Sequence, residues 1–123
     1  MKDSILLTKS KAFALRIVRL YKYLRERKES VIAKQILRAG TSIGANIAES
    51  RYAQSKTDFA SKLQIALKEA AETEYWLELL RDGELVEPSP AFTSLCADCT
   101  VLLKLLTASV KTSKTKSTPL DSE

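Results

Sequence analysis

The sequence predicts an all-α fold, an antiparallel up-down bundle of four helices, and three observations carry that reading. Four segments repeat apolar residues at helical spacing. The 123 residues hold only 3 Gly and 3 Pro, too few for the turn every 8–12 residues that an all-β domain needs. The connections between segments are polar and a few residues long, so sequential helices must run antiparallel. Hydrophobic residues make up 45% of the chain, enough for a packed core and too many for a disordered chain. The length fits one domain, placed at residues 1–110.

The first helix is expected from about Thr8 to Arg27. Leu6, Ser10, Phe13, Ile17, Leu20 and Leu24 recur at steps of three and four and share one face, which Tyr21 widens. Arg27 to Ser30 form a polar link, with Ser30 the expected N-cap of a second helix from Val31 to Tyr52. Its stripe is Ile32, Ile36, Ala39, Ile43 and Ile47. Gly40 and Gly44 lie inside this pattern and each costs about 1 kcal/mol relative to Ala. The stripe keeps its register across both, so the helix is expected to continue; a break at Gly40, leaving three helices, is the competing reading. Without side chains, the two glycines suit close helix–helix approach. Ala33, Leu37, Gly44 and Ala48 add a small-residue stripe beside the first.

Ser55 followed by Asp58 resembles a capping box and opens the third helix. Phe59, Leu63, Ala66, Ala70, Thr73 and Leu77 form its apolar face, and Gly83 is placed to end it as the C′ residue. Ser89-Pro90 is an N-cap with Pro at the first helical position. The fourth helix has the stripe Phe92, Leu95, Cys99, Leu102, Leu106 and Val110, flanked by Cys96 and Leu103. It is expected to end near Val110. Residues 111–123 are Ser, Thr and Lys with little that is apolar, and read as a disordered tail.

The chain contains no His, which removes the commonest general base, the serine and papain-like nucleophile constellations and most zinc sites. No catalytic, metal-binding or cofactor-binding residue is therefore assigned. Cys96-Ala-Asp-Cys99 lies within a helix, with both thiols toward the apolar stripe; it reads as core. Gly40 to Gly44 lacks the strand and Gly-Lys-Ser/Thr of a phosphate loop. No signal peptide is evident, and no run approaches a membrane span of about 18 apolar residues. A cytoplasmic protein with reduced thiols and no membrane contact is the expectation.

Charge is uneven. Residues 1–62 hold 14 Lys and Arg against 5 Asp and Glu, whereas residues 63–123 hold 6 against 10. Arg16, Arg19, Tyr23 and Arg27 lie on one side of the first helix, with Lys22 and Arg25 on the far side. Arginines interleaved with an aromatic suit phosphate and base contacts, so these six are the candidate nucleic-acid contacts; a solvated helix face is the plainer reading. Arg38 is expected to pair with the acids Glu69, Glu72 and Glu74 in a structural ion network. Ile65 and Trp76 form a second apolar patch on the third helix, with Leu79 nearby, and Leu15 and Val18 lie off the core face of the first. Surplus stripes of this kind cover surface between chains. Ile65, Trp76, Gly40 and Gly44 are the expected oligomer interface.

Several blocks carry a family resemblance: LRAGTSIGANIAE at 37–49, Asp58-Phe59, ALKEAAETEYWL at 66–77, SKAF at 10–13 and Arg16-Ile17. They occur in order over residues 6–107, and the chain resembles the bacterial four-helix-bundle family first met in intervening sequences of 23S ribosomal RNA genes. The resemblance implies a ring of five protomers without known catalysis. Such a ring is similar to the accessory variability determinant of diversity-generating retroelements, a basic ring that binds nucleic acid and a reverse transcriptase. The expected function is that of a non-enzymatic homo-oligomer, a pentamer by resemblance, binding RNA or DNA through its basic face. The alternative is a scaffold that docks an acidic protein partner.

Overall fold

The structure is a computed structural model describing the backbone of residues 2–121 and the side chains of residues 5–114. Among the described residues the chain forms four helices: α1 (Lys2–Glu26), α2 (Ser30–Ser50), α3 (Lys56–Asp82) and α4 (Pro90–Asp121). Each packs on its neighbour in the chain, and α1 closes the bundle against α4 along its most sparingly packed seam. This is the expected up-down arrangement.

The stripes become the core. Leu6, Ser10, Phe13, Ile17, Leu20 and Leu24 of α1 are all buried. They meet Ile36, Ala39, Ile43 and Ile47 of α2, Leu63, Ala66, Ala70, Thr73 and Leu77 of α3, and Leu95, Cys99, Leu102, Leu106 and Val110 of α4. Ile32, Phe59 and Phe92 sit at stripe ends and are only half-buried. The three buried hydroxyls bond back into their own helices, as in Ser10 to the Leu7 carbonyl at 3.1 Å and Thr73 to the Glu69 carbonyl at 2.7 Å.

α2 is one unbroken helix through both glycines. Gly40 abuts Ile17 and Gly44 abuts Ser10. This corrects their expected place at an oligomer interface: they form the α1–α2 seam inside one protomer. The missing side chains let the two backbones approach, which offsets the helix-propensity loss.

The helix ends differ in instructive ways. Ser55 Oγ accepts from the Asp58 amide at 3.0 Å, and the Asp58 carboxylate accepts from the Gln54 amide at 3.1 Å. Ser89 caps α4 by accepting from the Phe92 amide at 3.1 Å. Ser30, by contrast, is the first residue of α2; the cap position falls to Glu29, whose side chain makes no capping bond. Gly83 has φ −84°, an ordinary right-handed value. The left-handed positions after α1 and α3 belong to Lys28 (φ 65°) and Glu84 (φ 58°). At both ends the six-residue closing bond is made, Glu29 N–H to the Leu24 carbonyl and Leu85 N–H to the Leu80 carbonyl, each at 2.9 Å.

α4 does not stop at Val110. No Gly or Pro intervenes before Pro119, and the helical backbone continues to Asp121. Of the segment 111–123 read as a tail, residues 122 and 123 lie outside the described residues, as do the side chains of 115–121. α4 also corrects the expectation about membrane spans. Pro90–Lys114 is, by length and composition, apolar enough to cross a membrane, with a mean hydropathy of 1.4. Asp98 and Lys104 interrupt its run without lowering the average far, and its inner stripe packs in the bundle.

Candidate nucleic-acid interface

α1 presents cations because its apolar stripe occupies one side, and Arg16, Arg19, Lys22 and Arg25 fall outside that stripe. The structure divides the six predicted contacts into three kinds. Arg16 is engaged within the protomer. One of its nitrogens, Nη1, donates to Asp98 Oδ2 at 2.6 Å and to Ser94 Oγ at 3.1 Å. The other, Nη2, donates to the Ala91 carbonyl at 2.8 Å. Arg16 therefore ties α1 to the first turns of α4, and its charge is already engaged within the protomer. Its partner Asp98 lies more than 80 residues away in the chain, so helix spacing alone does not reveal the pair.

Arg25 and Arg27 are held by aromatics. The Arg25 guanidinium lies 5.6 Å from the Tyr21 ring centre and donates to the Tyr21 hydroxyl at 3.1 Å. Arg27, just past the end of α1, lies 5.3 Å from the Tyr23 ring centre. Tyr23 is anchored in turn, its hydroxyl accepting from the Glu87 amide at 3.1 Å. These stacks keep both charges and fix their positions. Arg19 and Lys22 form the third kind: both are exposed and make no ion pair or hydrogen bond among the described residues. Of the six predicted contacts, Arg19, Lys22, Arg25 and Arg27 thus stand without a carboxylate partner among the described residues.

On the α2–α3 side two cations, Arg38 and Lys62, are paired across the helix seam. Arg38 on α2 donates to Glu69 Oε1 at 3.2 Å and to Glu72 Oε2 on α3. Glu72 Oε2 also accepts from Trp76 Nε1 at 2.9 Å. Glu74 takes no part in this network, which corrects its assignment to the Arg38 ion pairs. It is two residues from Glu72 and so lies about 200° round the helix, on the α4 side near Cys99. Lys62 pairs with Glu49 at 3.0 Å, and that carboxylate holds the Lys62 ammonium above its usual range.

Beside Arg38 the outer flank of α3 is apolar. Ile65 is 39% exposed and Leu79 is 37% exposed. Trp76 is half-buried, packs against the core and meets Tyr75 edge to face at 5.4 Å. Ile65 and Trp76 fall within about 20° of one another on the helix. Leu15 and Ile5 are exposed on α1. The two thiols are inward: Cys99 is buried and Cys96 half-buried. Burial pushes the Cys99 thiol up to about 12, with the nearby Glu74 adding to it. Among the described residues no three His, Cys, Asp or Glu side chains come together to hold a metal.

α1, α2, α3 and the first part of α4, with the α1–α2 glycine seam and the Arg38–Glu69–Glu72 cluster, fall within residues 2–108, and a family model described as 23S rRNA-intervening sequence protein matches that whole stretch. The chain belongs to this family. Among solved structures, this 23S rRNA-intervening sequence family protein is similar to a crystal structure from Bacteroides thetaiotaomicron, a protein with unknown function from the S23 ribosomal protein family. The two are 55% identical with a TM-score of 0.85, over 90% of this chain and 99% of that chain. No curated protein matches the chain. The family description names a genetic setting and no reaction.

Proposed function

We propose that this chain is a non-enzymatic homo-oligomer that binds nucleic acid, RNA in the first place, through the basic side of α1. The observation that carries the reading is the set Arg19, Lys22, Arg25 and Arg27, which meets no carboxylate among the described residues. Arg38 and Lys62, on the far side, are both paired. Phosphate contacts need guanidinium and ammonium groups that are not already neutralised, and binding of this kind is electrostatic and tolerant of sequence.

Assembly is the second half of the proposal. Ile65 and Leu79, with half-buried Trp76, leave an apolar strip on acidic α3, and Ile5 and Leu15 leave apolar positions on basic α1. Faces of unlike charge on one protomer suit a head-to-tail contact, and such contacts close into rings. Five protomers is the number the family resemblance implies. A ring would repeat the α1 charges around one axis and add them into one field.

A mobility-shift titration against structured RNA at about 50 and 200 mM salt tests the binding. Retardation that weakens steeply with salt is expected. A pull-down that survives nuclease treatment and recovers an acidic protein would favour the scaffold reading instead.

A further inference from the structure

α1, the α3–α4 connection and the first turns of α4 enclose a groove of about 540 Å3. Its floor is apolar, formed by the buried Leu20, Val86 and Leu95. Two aromatic residues, Tyr23 and Phe92, line it, with the charged Arg16, Arg19 and Glu87. We propose that this groove takes one unstacked nucleobase of a bound single-stranded RNA segment, with Arg19 on the adjoining phosphate. The inference rests on the nucleic-acid reading above and assigns that surface a base-binding site.

Three properties fit this occupant. The volume lies in the range of small-ligand pockets. Tyr23 is preorganised, because the Glu87 amide fixes its hydroxyl and the Arg27 guanidinium lies over its ring. Splayed RNA bases are held by stacking on fixed aromatic rings, often with an arginine close by. Arg19 has no carboxylate partner among the described residues, so its charge remains for a phosphate. An aliphatic ligand would use the floor and leave that cation without a role.

The test uses the full chain and a single-stranded oligoribonucleotide carrying 2-aminopurine. Stacking quenches its fluorescence, so the wild type is expected to quench the probe on binding. Phe92→Leu should lose most of the quenching and weaken binding roughly tenfold while leaving the salt dependence unchanged, since only a stack is removed. Arg19→Gln should lower the salt dependence and keep the quenching. Should Phe92→Leu fold poorly, Ala91→Met fills the groove with a non-aromatic side chain from an exposed position and should have the same two effects. Wild-type binding with no quenching, or full quenching by the folded Phe92→Leu and Ala91→Met proteins, overturns the base site while leaving RNA binding intact. A wild type that binds no RNA at all overturns both readings.

Discussion

Gly40 and Ile17 touch so closely that a Cβ on Gly40 would stand 2.8 Å from Ile17 Cγ1 and 2.9 Å from Cγ2. Ile17 is fully buried and branched at Cβ, so it cannot swing aside. Gly40→Ala gains about 1 kcal/mol of helix propensity. Overpacking a filled seam costs about 1–3 kcal/mol, so the variant should be destabilised by about 1 kcal/mol. At Gly44 the same Cβ meets Ser10 Oγ at 3.3 Å, a clash that a small shift relieves. Gly44→Ala should stay within about 0.5 kcal/mol of the wild type. Urea midpoints at unchanged slope measure both, and equal losses at the two sites would contradict the seam.

Lys28 and Glu84 hold left-handed backbone that a side chain disfavours. Lys28→Gly and Glu84→Gly should each raise stability by about 0.5–1 kcal/mol, because Gly reaches that conformation without its Cβ penalty. Thermal midpoints that rise for both support the assignment; a fall in both would contradict it.

The same two residues mark the limit of what the sequence reveals. Every core position of α1, from Leu6 to Leu24, follows from helical spacing, because periodicity reports which side is buried. Spacing does not report which residue near a helix end turns left-handed; Gly83 attracts that reading and Glu84 takes the position. Nor does it report pairs between helices at a distance in the chain. Arg38 and its acids are legible because α2 and α3 are adjacent and each carries an obvious charge row. Arg16 reads as a free member of the basic row until the fold brings Asp98 and Ser94 to it. The groove is likewise invisible in sequence, since Tyr23 and Phe92 belong to different helices.

The Cys99 thiol is pushed up to about 12 by burial, from an ordinary value of 9.0. Because the folded state holds the proton more tightly, its contribution to stability is complete below pH 9. It is lost as pH rises from there, where the unfolded thiol ionises and the folded one does not. Stability of the wild type should therefore fall more steeply with pH above 9 than that of Cys99→Ala. Parallel pH profiles for the two proteins would contradict the buried thiol. In the native protein at pH 8, alkylation should reach half-buried Cys96 well before Cys99.

Ile65 and Trp76 separate assembly from folding. Ile65 is partly exposed, whereas Trp76 also packs against the core. Ile65→Lys should lower the mass seen by light scattering while leaving the helical far-ultraviolet signal and the melting temperature of the protomer nearly unchanged. Trp76→Gln should lower both mass and stability. A wild type that scatters as a 13.7 kDa species would contradict assembly. A dimer or tetramer would contradict five-fold closure alone.

Unpaired cations along α1 that hold nucleic acid would show in the salt dependence of RNA affinity. The plot of log affinity against log salt should be steep for the wild type. Replacing Arg19, Lys22, Arg25 and Arg27 together by Gln should reduce the magnitude of its slope by about 3, at roughly 0.7 for each single-strand phosphate no longer neutralised. Arg16→Gln, whose charge is already engaged by Asp98, should leave the slope at its wild-type value. No retardation of RNA by the wild type at about 50 mM salt, or a fourfold variant that keeps the wild-type slope and affinity, would contradict the account.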